Sequence, residues 1–429
     1  MKDAHIYDGA AWQSLKGPPG PSTPSANAGN ITVKGSDSLL FTPPQTAETV
    51  TFKCASGGAK PLKEAEGILQ LYAGCSSTQP LDGSGGPIVG DQAIAAMVVE
   101  YLRVLPDGTA WAFDPKSLSL IVDTAYELSN TVTIPLSGVV DAIVEWGDGS
   151  PPTTVKSAGL VTHTYAKDGR YQVAVYGKVG WYGSATTSHP NSDKIVACLS
   201  WGSLGIDNLS TCFTGCSRLV AVPTRLPAGT LRLAAMFARC TIFNQPLSDW
   251  DTSRIEDFSY MFQDCRAFNH PVSGFDTSKA KNLTGMFQGA STFNQPIFNF
   301  DTSSATDMTA MFENCTAFSQ DVSRFNTTKA ASLQNFFRSC SAFNQDISGF
   351  VFSGINVATG LNGFGQSTTI ATTNIDKAMI AWNSRKAACR TDLTLELGNS
   401  RASASGGGVA ARDALRAYGW TINMGTDLP

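Results

Sequence analysis

The chain has 429 residues, a formal net charge of −4 and a pI near 5.6, which excludes the basic footprint that nucleic-acid binding requires. Hydrophobic residues make up 42% and charged residues 15%, with 40 glycines, so a buried core is expected in a β-rich, loop-rich architecture rather than a helical bundle. No apolar run approaches the roughly 18 residues of a membrane span, and no membrane insertion is expected.

The first residues, MKDAHIYDGAAWQSL, carry no apolar h-region, cleavage site or lipoprotein-type cysteine, so no secretion signal is expected. Residues 1–45 read as short alternating strands such as Ile31-Thr32-Val33, joined by turn chemistry and by a stiff polyproline-type hinge at Gly17–Pro21. Tyr7-Asp8-Gly9, Trp12, Gly17-Pro18, Ser25–Asn30 and Gly35-Ser36-Asp37 resemble the leader of tailed-phage virion proteins. That resemblance implies a particle-bound protein, with Tyr7 and Trp12 as anchor residues. Ser38 departs from the pattern, which more often has Gly there. Residues 46–125 contain apolar stretches separated by Gly, Pro and Ser, and read as a small β-rich domain.

Residues 126–185 alternate in strand fashion at Ile143–Trp146 and Tyr171–Val175, with tight turns at Gly147–Ser150 and Asp168-Gly169. Trp146-Gly147-Asp148-Gly149, His163-Thr164-Tyr165, Gly169 and Tyr171-x-Val173 resemble the PKD-type immunoglobulin-like β-sandwich. The resemblance makes the Trp and Tyr core and corner residues. Asp148 is expected to organise the turn, with His163 packed beside it, in preference to a catalytic pair.

Residues 191–360 repeat with a period of 25: Met236-Phe237, Met261-Phe262, Met286-Phe287, Met311-Phe312 and Phe336-Phe337. Behind these pairs follow Cys240, Cys265, Ala290, Cys315 and Cys340, then Phe243, Phe268, Phe293, Phe318 and Phe343. A period that never slips predicts stacked coils that bury their apolar faces against each other, a solenoid with a continuous core. Equivalent residues would lie ~4.8 Å apart, so the cysteines read as a ladder of reduced, buried thiols, with Ala290 as a small apolar substitute. Cys54 and Cys75 are the one pair in a disulfide-like setting. The Asp-Thr-Ser triplets at 251–253, 276–278 and 301–303, and Asn326-Thr327-Thr328, are expected to cap turns. Asn244, Asn269, Asn294 and Asn344 are expected to ladder along one edge, interrupted at Ser319.

This repeat resembles the BspA-like leucine-rich-repeat surface proteins and the related mycoplasma-type surface repeat. The resemblance extends to Ile375–Trp382 and Ala411–Ile422, as a C-terminal cap over residues 361–429. A cap is physically required, because the last coil otherwise leaves an apolar, unpaired edge. The fold expected is therefore mainly β: an N-terminal β-rich anchor, a sandwich and a capped leucine-rich-repeat-like solenoid.

No nucleophile elbow, P-loop, dinucleotide turn or zinc-protease motif occurs, and the histidines are scattered. No catalytic, cofactor or metal residue is assigned. Asp251, Asp276 and Asp301 would form a row, but a ladder gives every member the same environment, whereas glycan hydrolysis needs two different ones. Trp250, Phe275, Phe300, Phe325 and Phe350 align, and form a binding surface if exposed or another core ridge if buried.

Surface-type modules without a secretion signal lead to a phage virion protein, assembled in the host cytoplasm. It would be a fibre, tail appendage or capsid decoration that meets other virion proteins through its leader and a host glycan or protein through its solenoid, with self-association left open. The alternatives are a BspA-like bacterial surface adhesin and a tailspike-like glycan hydrolase.

Overall fold

The computed structural model describes residues 101–125, 129–183 and 190–428, and the backbone of short strands between residues 4 and 70. The fold is mainly β with few helices, and no sheet closes into a barrel among the described residues. In the N-terminal part, β1 (Ala4–Tyr7) and β2 (Trp12–Ser14) form an antiparallel hairpin in which Tyr7 stands opposite Trp12. The hairpin adds in parallel to β9 (Ala110–Ala112) of a nine-stranded sheet. That sheet also takes in β3 (Asn30–Val33), β4 (Leu39–Leu40), β5 (Thr49–Lys53), β6 (Ala59–Ala65), β7 (Ile68–Gln70) and β8 (Tyr101–Val104). The side chains of Tyr7 and Trp12, the Gly17–Pro21 hinge, Cys54 and Cys75 lie outside the described residues.

A second sheet has six strands. β10 (Leu118–Asp123) is buried along its whole length because it is central, between β14 (Arg170–Tyr182) and β15 (Ile195–Trp201). β11 (Thr131–Glu145) pairs on one side with β14 and on the other with β13 (Gly159–Thr164) and β12 (Thr153–Val155). Its second half alternates buried and exposed, the mark of a strand with one wet face. The sheet thus reaches beyond residues 126–185 at both ends.

The tyrosine and tryptophan of the turn region sit as their chemistry requires. Trp146 is buried with its indole N–H on Thr153 Oγ1 at 2.9 Å, and Tyr165 donates its hydroxyl to the Trp146 carbonyl at 2.9 Å. Asp148 accepts from the Ser150 amide at 3.0 Å and hydroxyl at 2.6 Å. Its other oxygen meets His163 Nε2 at 2.8 Å, and the imidazole stacks on Trp146 at 4.8 Å. Asp148 therefore organises the turn and His163 packs beside it.

From Leu204 onward the chain winds in turns mostly of 25 residues, the first shorter (Phe213 N–H to Met236 O) and the last longer (Phe337 N–H to Phe364 O), each bonded to its neighbours in register. Phe237 N–H donates to Met261 O, Phe262 to Met286 O, Phe287 to Met311 O and Phe312 to Phe336 O, all at 2.8–3.0 Å. Parallel bridges Asp257–Asn282, Asn282–Asp307 and Asp307–Ser332 run alongside. Inside, the Phe rings form two columns: Phe237, Phe262, Phe287 and Phe312 at 5.5–5.7 Å spacing, and Phe243, Phe268, Phe293 and Phe318 at 6.1–6.2 Å. Within a coil the two rings stack at 4.1–4.4 Å. Each buried Phe contributes about 2–3 kcal/mol of apolar burial, so the columns dominate the stack's stability.

Both ends are closed. At the first end, Trp181 of β14 bridges to Asn208, Ala197 of β15 bridges to Ala221, and Tyr182 and Trp201 meet Phe213 at 6.0 and 5.9 Å. At the other end, α1 (Thr372–Arg385) packs on α2 (Gly408–Tyr418), while β16 (Thr394–Glu396) and β17 (Thr421–Asn423) extend the parallel ladder. Gly365 N–H donates to Glu396 O at 2.7 Å, and Trp382 and Trp420 cover Phe352 at 5.0 and 5.9 Å. One hydrophobic core runs without interruption from Leu118 to Ile422.

Candidate interaction surface

Three polar ladders line the outside of the stack. Along one edge, Asn244 Oδ1 accepts from the Asn269 amide at 3.0 Å, Asn269 from Asn294 at 2.9 Å, and Asn294 from Ser319 at 3.0 Å. Ser319 does not break this ladder, as its sequence suggested. Its hydroxyl accepts from the Asn344 amide at 3.2 Å, and Asn344 passes the ladder on to Ala371 at 2.7 Å. A hydroxyl oxygen is an acceptor like an amide oxygen, and the junction needs only that.

Along a second edge, Asp251, Asp276, Asp301 and Asn326 each accept the amide two residues on, at 2.9–3.1 Å. The turn-capping role expected of these residues holds. Hydrogen bonds from Ser253 and Ser278 keep Asp251 and Asp276 below the usual carboxylate range, whereas a general acid needs the opposite shift. The threonines between them were not singled out from sequence. Thr252, Thr277, Thr302 and Thr327 are buried, and each donates to a carbonyl of the next coil, Asp276, Asp301, Asn326 and Val351, at 2.7–3.1 Å.

The aromatic row is not a surface. Trp250, Phe275, Phe300, Phe325 and Phe350 are all at most 4% exposed. The reason is geometric: each ring lies against the second Phe of its own coil's pair, Trp250 on Phe237 at 5.8 Å and Phe300 on Phe287 at 6.4 Å, for example. The Trp250 indole N–H is satisfied inside by Pro223 O at 3.1 Å. These residues form a third core ridge, and the expectation of an exposed binding row is corrected.

The cysteines sit as a thiol ladder. Cys240, Cys265, Cys315 and Cys340 are free and buried, and donate to the carbonyls of Phe213, Phe237, Phe287 and Phe312 at 2.7–3.1 Å. Burial pushes these thiols up, away from the reactive thiolate.

The third ladder flanks the Met-Phe pairs, and here the repeat departs from itself. Each coil has two left-handed residues framing the pair, such as Ala235 and Arg239, Ala310 and Asn314, Asn335 and Ser339. In the third coil both are glycine, Gly285 and Gly289. A Cβ at Gly285 would lie 2.5 Å from the ring of Tyr260, and one at Gly289 2.4 Å from Asp264 Oδ1. The two glycines therefore let the Tyr260 ring and the Asp264 carboxylate lean over the third coil. Between them, Gln263 Nε2 donates to Gln288 Oε1 at 2.7 Å and Gln288 Nε2 to Glu313 Oε2 at 2.6 Å, with Arg338 beside Glu313 at 3.5 Å. A polar depression of about 530 Å³ opens here, lined by Gln263, Asp264, Arg266, Gln288, Gly289 and Asn314, among others. Tyr260, whose ring flanks Gly285 together with Gln288 of the lining, is 37% exposed. The sequence signal was available: at the position before each pair, Tyr260 is the one large residue among Ala235, Gly285, Ala310 and Asn335.

Residues 194–290, and again 270–378, match the family described as "Mycoplasma protein of unknown function, DUF285". The repeat region is similar to that family. The two matched segments overlap and together cover β15, the coils and the start of α1, leaving the other strands outside. No curated protein and no solved structure matches the chain.

Proposed function

We propose that the chain is a non-catalytic cell-surface repeat protein of the BspA-like adhesin type. Its coils are a leucine-rich-repeat-like solenoid, its six-stranded sheet a PKD-like domain, and its display face the polar exterior of the stack. The observation that carries the reading is the stack itself: aromatic and thiol columns fill the interior, while short polar side chains repeat in register outside. That division of labour suits a rigid holding surface, since solenoids present extended faces to partners. The similarity of residues 194–378 to the mycoplasma family favours this reading over the virion protein suggested by the leader motif.

The test is to apply an antibody against the repeat stack to intact cells of the native source, and in parallel to purified phage particles from them. Label on the cell surface, together with adherence of protein-coated beads to host cells, is expected. Label confined to particles would replace the adhesin by a virion appendage or decoration. Release of sugar from host polysaccharide by the purified chain would replace it by a hydrolase.

A further inference from the structure

We infer that the depression over Gly285 and Gly289 is a binding site for a neutral glycan, which deepens the adhesin reading and rests on it. Three observations converge on this spot. The first is a departure from the repeat: Tyr260 stands where the other coils carry Ala235, Gly285, Ala310 and Asn335. A stack needs only that neighbouring coils fit, and the other coils achieve this with small or polar residues at the position of Tyr260. Tyr260 shares the left-handed backbone of its equivalents Ala235, Ala310 and Asn335, at φ 56°, so the conformation belongs to the coil and the bulk of the side chain does not. The residue is 37% exposed. A large side chain that the core does not take up points to a role at the surface.

The second is that the two glycines are matched to the residues above them. Any side chain at Gly285 would displace the tyrosine ring, and any at Gly289 would displace the Asp264 carboxylate. The ring and the carboxylate are thus held by the preceding coil over a floor cleared of side chains in the next. Planar Gln263 and Gln288 are fixed in orientation by their mutual hydrogen bond and by Glu313. A site whose polar groups are already oriented loses less on binding.

The third is the chemistry of the lining. Asp264 accepts only, Arg266 donates only, and Gln263, Gln288 and Asn314 do both. One carboxylate and one guanidinium leave the lining close to neutral, which argues against a phosphate or polyanion. The volume falls within the ~300–1,000 Å³ of small-ligand sites, yet the apolar lining usual there is absent. A pyranose meets these conditions. Its hydroxyls donate and accept in pairs that suit carboxamide and carboxylate edges, and its apolar C–H face would lie on Tyr260, whose ring flanks Gly285 beside Gln288 of the lining.

The experiment uses the full chain and a panel of neutral oligosaccharides (maltotriose, cellotriose, mannotriose, chitotriose and N-acetyllactosamine) with sialyllactose and a polyphosphate as charged probes. Binding is followed by calorimetry and by saturation-transfer NMR. At least one neutral sugar is expected to bind, with Tyr260→Ala and Asp264→Asn each weakening it about tenfold or more. Tyr260→Gly should weaken binding equally while its melting temperature holds or rises, which separates loss of the site from loss of the fold. The inference is overturned if no neutral sugar binds at millimolar concentration. It is equally overturned if binding ignores both substitutions, or if only the charged probes or a peptide compete for the site. Beads coated with Tyr260→Ala that still adhere would sink this site and leave the adhesin reading standing. Sugar binding without any bead adherence would do the reverse.

Discussion

The six-stranded sheet and the repeat stack share one core but are held together differently. In the sheet each tie occurs once. Asp123 gathers Arg170 at 3.1 Å and Arg218 at 3.0 Å from distant parts of the chain. Lys194 is buried with its ammonium on the carbonyls of Ser129 and Thr131, and Arg103, which comes from β8 of the nine-stranded sheet, is buried against those of Cys198 and Val222. In the stack the same bond recurs at every junction, and no buried charge is needed. A single-copy architecture specifies itself with long-range polar ties, whereas a repeating one does so by identity between neighbours.

The largest effect expected belongs to the interior columns. Phe287 touches Phe262, Phe293, Phe300 and Phe312 at 4.1–6.4 Å, so Phe287→Ala should cost about 3–5 kcal/mol. Chemical denaturation followed by circular dichroism would measure it, and a loss under 1 kcal/mol would mean the coils do not depend on column continuity. The next effect belongs to the sheet. Burial opposes ionisation of Asp123, but hydrogen bonds from Arg170, the Ala125 amide and Arg218 outweigh it and hold the carboxyl below its free value of 3.8. Its contribution is therefore complete above the free value and is lost as pH falls through the lower folded one. Asp123→Asn should lower stability at neutral pH by about 2 kcal/mol and flatten the acid limb of the stability profile. An unchanged limb would remove Asp123 as the tie. The smallest effect sharpens the contrast. Thr252→Val and Thr302→Val each delete the same two bonds to the next coil, so each should cost about 1.5 kcal/mol. Markedly unequal costs would show that the coils are equivalent in geometry only.

Much of the stack was legible because periodicity fixes register: the Met, Phe and Cys positions, the Asp and Asn caps and the asparagine ladder all follow from it. What periodicity leaves open is which way a side chain points when either direction is chemically sensible. Trp250 and its equivalents went to the interior because the second Phe of each pair offers a ring to pack on. The left-handed positions were hidden because residues such as Thr211, Ala235 and Arg239 occupy them instead of glycine. The role of β14 and β15 as the first closure of the stack was also hidden. It depends on bridges such as Trp181–Asn208 and Ala197–Ala221 between segments with no shared motif. The candidate site was legible only as an exception to the repeat, and it emerges when the exceptional residues prove to touch.

The two unlike closures have a consequence for how such a molecule can vary. Each interior junction presents the same donors, acceptors and rings to either neighbour, so a duplicated or deleted unit of 25 residues would find familiar faces on both sides. Reach could then be tuned in increments of ~4.8 Å by recombination within the gene, while the two termini of the array stayed untouched.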